Sequence, residues 1–443
     1  METINTRPIP TEAVRYRDSI CRKIGDEKLR TLFANCFDSA LSTTIEPLED
    51  GTYFAGSGDI HPMWLRDAAE QMVPYLPLCQ EEGEMRTIIK GLLARSWKCI
   101  EIDPYANAFH EAPLGTHLEC FADEPETGPW VWERKYEIDS LAFPLWTAYR
   151  YWKISGDASV FDAAYYRAVR TVVDLWKVEQ HHDEQSPYYF IRKPARPGIT
   201  ISVPDQLRGE NGKSYPAAYT GMTWTGFIGS DDSCVYNYNT PENFFAAAVL
   251  GEIEEILAAH PSADETLAAD VKTLKEEILS GIKTYCVVEH ETYGKIYAYE
   301  TDGMGHYRFM DDCNVPSLTS LPMFLPELAE DPIYQNTRRF VFSKDNPYYY
   351  EGKNGSGIGS SHTPEGCIWT LGVAAEVMTC PDVERVKKLL SMLATCDDGR
   401  GTTPESFDVS DPAIHTREWY PASDSLFAAA VISAYERFGE ELA

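Results

Sequence analysis

The chain has 443 residues, 44% of them apolar, which is enough for a sizeable buried core, and it carries a formal charge of −30. Such a charge repels nucleic acid and anionic membrane surfaces at long range, so neither is an expected partner and a neutral ligand is favoured. The opening METINTRPIPTEAVRYRD lacks a basic stretch followed by an apolar one, and no apolar run is long enough to cross a bilayer, so a soluble, cytoplasmic protein is expected.

Helical periodicity recurs along the chain in short-linked pairs. The first predicted pair is about 63–77 with 83–100. In the second, Ile138, Leu141, Ala142, Leu145, Ala148, Tyr149 and Trp152 form one apolar face, and Val169, Val172, Val173 and Trp176 form another after the Ser155-Gly156-Asp157 break. These predict helices over roughly 138–154 and 158–178. Thr240 as N-cap with Pro241 at the first helical position opens a helix to about 259, and Ser262 with Glu265 forms a capping box for its partner, about 264–285. Two further pairs follow at roughly 316–329 with 333–342 and 364–379 with 382–396. A last helix, about 421–437, can pair with the N-terminal one, about 12–40, and close a ring.

Between pairs lie longer connections, around 44–62, 103–137, 180–240, 286–315, 344–363 and 397–420, which hold much of the Trp, Gly, Asp and His. If short links join helices within pairs, every long link falls at one end of an antiparallel helical toroid and converges on its mouth. The expected fold is therefore all-α, one helical-toroid domain over 1–443 with long rim loops and a small β-hairpin near Tyr293–Tyr299.

The rim segments carry the chemistry. Asp59-Ile-His-Pro-Met-Trp-Leu-Arg-Asp67 enters a helix, where Trp64 offers a stacking face and Arg66 and Asp67 a fork of donors and acceptors for vicinal hydroxyls. An Arg/Asp ion pair at a helix end is the alternative. In Trp130–Asp139, Glu133 and Lys135 read as a structural ion-pair network. His181-His182 with Asp183 and Glu184 has ligand-type residues but reads as a solvated turn. The 11 cysteines are scattered and form no CxxC pair, so buried free thiols are expected, and no metal or cofactor is assigned.

Met222–Cys234, MTWTGFIGSDDSC, sets Asp231 and Asp232 beside Trp224 in a Gly-rich loop, and Thr403-Pro-Glu-Ser-Phe-Asp408 supplies Glu405 far downstream. Paired acids beside aromatics suit glycoside hydrolysis, in which one carboxyl protonates the leaving oxygen and the other activates water or attacks the sugar. For an isolated Asp-Asp pair, a solvated turn whose acids cap a helix is the more common explanation, and the context of the other motifs reverses it. Met310-Asp-Asp-Cys-Asn-Val-Pro-Ser317 makes Asp311 and Asp312 competing acids, or caps. Gly355–Thr363 lacks the Lys-Ser/Thr of a phosphate-binding loop and reads as a tight turn carrying His362 to a ligand.

Taken together, MWLRD, ERKYEID, GMTWTGF with SDD, MDDCNVPSL, GIGSSHTP and ESFD resemble, in order, the motif series of glycoside hydrolase family 125, exo-acting α-1,6-mannosidases, from about Asp59 to beyond Trp419. The resemblance implies an (α/α)6 barrel and hydrolysis of a terminal mannose with inversion, on a mannose-containing oligosaccharide. By motif, the general acid falls in Ser230-Asp231-Asp232, with Asp232 preferred to Asp231, and the general base is Glu405. Arg66 and Asp67 resemble the element that holds hydroxyls of the terminal sugar in related toroid glycosidases. Pro404, directly before the expected base, is a local departure. An α-glucosidase on the same toroid, or a non-catalytic carbohydrate-binding toroid, remains open at this stage.

Overall fold

Two kinds of helix alternate along the chain, and their composition sorts them into concentric rings. In Val383–Leu393 the buried positions are Val386, Leu389, Leu390, Met392 and Leu393, one stripe at helical spacing with charged residues opposite. In Thr240–Ala259, by contrast, every residue from Thr240 to Leu250 is buried, as is every residue from Pro421 to Ile432 in Pro421–Phe438. A helix buried all round belongs inside a second layer, and the small residues Ala422, Ser423, Ser425, Ala428 and Ala430 let neighbouring backbones approach closely.

The computed structural model describes residues 6–115 and 120–442. The helices are α1 Thr11–Cys21, α2 Glu27–Thr43, α3 Leu65–Glu70, α4 Glu84–Ile102, α5 Ile138–Ser155, α6 Ala163–Glu179, the four-residue α7 His182–Gln185, α8 Thr240–Ala259, α9 Leu267–Gly281, α10 Pro332–Val341, α11 Thr370–Thr379, α12 Val383–Leu393 and α13 Pro421–Phe438. The inner ring runs α3, α5, α8, a 3-10 turn at Leu321–Met323, α11 and α13, and it closes because α13 packs on α3. Outside it, α2 packs on α13, α4 on α5, α9 on α8 and α12 on α11. This is the expected (α/α)6 barrel, closed by the N-terminal helices against the C-terminal one.

Several expected elements differ, each for a local reason. The region 316–329 holds two 3-10 turns, Leu321–Met323 and Pro326–Glu330, in place of a helix, because Pro322 and Pro326 supply no N–H to a helical ladder. Pro74 and Pro77 likewise turn the second half of the first inner helix into 3-10 structure over Val73–Gln80. The N-terminal segment is two helices. The N-cap of α8 is Asn239, whose side chain accepts from the Glu242 N–H at 3.1 Å, one residue before the expected Thr240. Ser262 caps no helix: its hydroxyl accepts from the Asp264 N–H at 3.1 Å, and Asp264 turns the chain before α9.

The rim holds more strand than expected, because long links crowded round a mouth satisfy their backbone groups on one another. The hairpin near Tyr293–Tyr299 is present, with Val287–His290 against Gly294–Tyr297. More consequential are the strands that lead into inner helices. Met63–Trp64 pairs with Ala108–Phe109 and runs into α3, Tyr238–Asn239 pairs with Glu300–Thr301 and runs into α8, and Cys367–Trp369 pairs with Ser406–Asp408 and runs into α11. The N-termini of these inner helices therefore face the same mouth. No helix of the described residues is long and apolar enough to cross a membrane.

Helices α2, α6, α10 and α12 each begin at an aspartate cap: Asp26, Asp162, Asp331 and Asp382. Asp162 accepts from the N–H groups of Ala164 and Tyr165 at 2.9 and 3.0 Å. Asp162→Ala is expected to cost about 1 kcal/mol, read as a lower urea midpoint with an unchanged slope.

Candidate active site

The site is built around Arg66, which the strand–helix junction at Trp64 holds 3% exposed in the mouth of the barrel. Its Nη1 donates to Glu137 Oε2 at 2.9 Å and Asp139 Oδ2 at 3.0 Å, and its Nη2 donates to Asp231 Oδ1 at 3.0 Å. One guanidinium thus gathers acids from the start of α5 and from the 222–234 loop. Glu137 is further held by Asn107 Nδ2 at 3.2 Å and the Ser140 hydroxyl at 2.9 Å. Burial, then repulsion from Asp231, lifts Glu137 far above the usual carboxylate range, and it shares a hydrogen bond with Asp231. Burial disfavours charge on Asp231 too, but Arg66 and Lys135, with that hydrogen bond, outweigh it and hold Asp231 well below the usual range. The two acids are hydrogen-bonded to each other and shifted in opposite directions.

The turn that carries the acid pair gives its two carboxyls different partners. Asp231 sits in the left-handed region at φ 64°, its N–H donating to Ile228 O at 2.7 Å, a conformation that Asp tolerates better than most residues. Its side chain, 24% exposed, lines a cavity of about 130 Å³. Asp232 lies behind it and does not line that cavity. Its carboxylate accepts from the Ser361 hydroxyl and from His362 Nδ1 at 3.2 Å. At the cavity wall Gly229 leaves little room for a side chain, since a Cβ there would meet Asp139 Oδ2 and Asn314 Oδ1 at 3.2 Å each.

Glu405 lines the same cavity from the opposite ribbon. Its backbone is locked on both sides, with Thr370 N–H donating to its carbonyl at 3.0 Å and its own N–H donating to Arg417 O at 3.1 Å. Its carboxylate lies 3.4 Å from Arg417 Nη1. Arg417 stands over the Tyr420 ring at 4.4 Å and also donates to Asp59 Oδ1 from Nε at 2.8 Å. Tyr420 in turn donates to Asp67 Oδ1 at 3.3 Å. Trp64 and Trp369 supply the aromatic walls, with His362 stacked on Trp369 at 5.7 Å.

Of the residues expected from sequence, Trp64, Arg66, Asp67, Asp231, His362 and Glu405 converge on this cavity. Arg66 plays a different part from the expected one, because its Nη groups are committed to protein carboxylates and so position acids. Trp224, Asp311 and Asp312 do not line the cavity. Trp224 is fully buried and stacked on His182 at 3.6 Å, a core position. Asp311 accepts from the Leu318 and Thr319 N–H groups at 3.0 and 3.1 Å, which makes it the cap of the Pro-rich turn. Asp312 accepts from the Ser230 hydroxyl at 2.9 Å and so braces the acid turn from behind, and burial followed by the charge of Asp311 lifts it to about 7. The His181-His182 turn is not fully solvated either, since His182 is buried with Nδ1 2.6 Å from Glu179. Glu133 and Lys135 do form an ion network, with Lys135 Nζ 3.1 Å from Asp205 and 2.9 Å from Asp231 O. Sequence patterns did not single out Trp369, Arg417 and Tyr420. Trp369 and Tyr420 immediately precede inner helices α11 and α13, as Trp64 precedes α3, and Arg417 lies in the short run before α13; that repeated placement is the signal that finds them.

An (α/α)6 barrel whose mouth sets two acids across one small cavity walled by aromatics is a glycoside hydrolase architecture. The family model described as metal-independent alpha-mannosidase (GH125) matches residues 26–432. The chain belongs to that family. It is 39% identical to a metal-independent α-mannosidase of Streptococcus pneumoniae, solved as a non-productive substrate complex with α-1,6-mannobiose, at a TM-score of 0.91 over 97% of this chain and 100% of that one. It is 33% identical to the Meiotically up-regulated gene 157 protein of Schizosaccharomyces pombe, over 95% of this chain and 85% of that protein. A glucoamylase of Saccharomycopsis fibuligera, 11% identical over 99% of this chain and 98% of that one at a TM-score of 0.58, shares the fold.

Two measurements check these placements. Trp224→Phe is expected to lower stability by about 0.5–3 kcal/mol while leaving KM for an aryl α-mannoside unchanged; a raised KM would return Trp224 to the site. For His362, burial opposes protonation, but Asp232, with Glu405 and Asp231, outweighs it and lifts the imidazole from 6.5 to about 9. A raised folded-state value means that the charged ring stabilises the fold fully below about 6.5 and that this contribution is lost as pH rises through about 9. The stability difference between the native protein and His362→Gln should therefore narrow between about pH 6 and 10 in denaturant titrations.

Proposed function

We propose that the protein is an exo-acting α-1,6-mannosidase that hydrolyses a non-reducing terminal mannose with inversion, using Asp231 as general acid and Glu405 as general base. The observation that carries the reading is that these two carboxyls, from opposite ribbons, line one cavity of about 130 Å³. That volume is far below the roughly 300–1,000 Å³ of sites for drug-sized ligands, which suits a single sugar unit and hence release from a chain end. The solved relative's complex with α-1,6-mannobiose supports the linkage.

Chemically, the glycosidic oxygen takes a proton from Asp231 as its bond to the anomeric carbon breaks. Water attacks the opposite face of the sugar and gives its proton to Glu405. Asp231 shares a hydrogen bond with Glu137, whose carboxyl burial raises well above the usual range, so a second acid stands next to the proposed proton donor. Arg417 Nη1 lies 3.4 Å from the Glu405 carboxylate and helps to hold it at the cavity. Asp67, at the same cavity, accepts a hydrogen bond from Tyr420 and has a second oxygen for a sugar hydroxyl. Asp232 is assigned to holding His362, not to proton transfer. We further propose one catalytic domain over 1–443 and a cytoplasmic location; the latter is supported by 11 free cysteines.

Acid and base are separable by leaving group. Asp231→Asn is expected to lose roughly two to four orders of magnitude on α-1,6-mannobiose and to recover much of that on an aryl mannoside whose leaving group needs little protonation. Glu405→Gln should lose activity on both. Rescue by Asp232→Asn in place of Asp231→Asn would move the acid one residue. Faster cleavage of α-glucobioses than α-mannobioses by the native enzyme would overturn the substrate.

A further inference from the structure

A second, larger cavity of about 1080 Å³ opens on the same side of the barrel. Its floor is the C-terminal half of α2, where Asn35, Asp38 and Ser42 project, and Arg400 of the loop after α12 flanks it. Its near side is Asp59, His61 and Trp419. These are chain neighbours of Ile60, Arg417 and Tyr420, which line the catalytic pocket, so one wall separates the two cavities. Asp59 N–H donates to Trp419 O at 3.3 Å across that wall, and Ile60 is 37% exposed on it.

The lining suits a neutral polyhydroxylated ligand. Charges of both signs are interspersed, Arg7 and Arg400 among Asp38, Glu46, Asp59 and Glu418, so no single-sign field selects an ion. Hydroxyl, amide and carboxylate groups of Asn35, Ser42, Thr43, Asp59 and Thr402 offer both donors and acceptors. Trp419 adds an aromatic surface of the kind sugars stack on. Meanwhile the catalytic pocket, about 130 Å³, has no room for the rest of an oligosaccharide.

We infer that this groove binds the distal sugars of an α-mannose oligosaccharide whose terminal unit occupies the catalytic pocket, so that the enzyme selects longer chains over disaccharides. The inference rests on the mannosidase reading for its substrate class. Contacts so far from the reacting bond bind ground and transition states alike, and they lower KM without changing kcat.

The test compares α-1,6-mannobiose with α-1,6-linked mannose oligosaccharides of about four to six units, on the native enzyme and on Asn35→Trp and Arg400→Ala. Asn35 is exposed, so a large side chain there blocks the groove without entering the core. The native enzyme is expected to show a KM about tenfold lower for the longer substrates, and both variants should lose that advantage while their kinetics on mannobiose stay native. Equal kcat/KM for short and long substrates, or variants impaired equally on both, would overturn the groove. Direct calorimetric binding of the longer oligosaccharide to native protein and to Asn35→Trp reads the groove independently of turnover. Weaker binding to the variant supports it, and equal binding refutes it. Failure of the native enzyme to cleave mannobiose at all would instead refute the function.

Discussion

The mouth of this barrel depends on one buried cation. Arg66 bonds Glu137, Asp139 and Asp231 at 2.9 to 3.0 Å while itself only 3% exposed, so three carboxyls share one guanidinium away from water. Removing the cation leaves buried acids uncompensated, a large penalty compared with the stability of a domain. Two features reduce the excess negative charge. Burial lifts Glu137 well above the usual carboxylate range, which disfavours a further charge there, and Asp67 and Asp139 lie in the first turns of α3 and α5, where the helix N-terminus favours an anion. Deeper in the barrel, burial disfavours charge on Glu70 and Glu242 as well.

That arrangement joins architecture to chemistry. Because inner helices begin at the rim, each contributes polar groups where the backbone is most rigid, and the long links between pairs bring the remaining groups across to meet them. Asp231 and Glu405 are far apart in the chain yet share a cavity, because one rides a turn pinned by Asp312 and Lys135 and the other a ribbon pinned to α11. Rigid support of this kind is what a pair of acids needs, since small displacements of a catalytic group cost large factors in rate.

The wall formed by Asp59–His61 and Arg417–Tyr420 divides labour between two cavities. On one face it presents Arg417 to Glu405; on the other it presents Asp59 and Trp419 to the groove over α2. Asp59 and Arg417 are ion-paired across the wall, and the same Arg417 lies 3.4 Å from Glu405.

The sequence by itself determined the helix pairing, the ring closed by its two termini and the clustering of functional residues on one rim, because helical periodicity and short against long links are local properties. It also pointed to Trp64, Arg66, Asp67, His362, Glu405 and the Asp231-Asp232 pair with Asp232 preferred, and all of these except Asp232 line one cavity. Tertiary structure alone decided what each of them faces. Adjacent aspartates at 231 and 232 look equivalent in sequence, yet a left-handed backbone at Asp231 turns one toward Arg66 and the other toward His362. Trp224 has the composition of a sugar platform but stacks on His182 in the core. Asp311 and Asp312 have the look of catalytic acids but brace turns. Burial, side-chain direction and the hydrogen bond between Glu137 and Asp231 all depend on residues distant in the chain, and no local pattern encodes them.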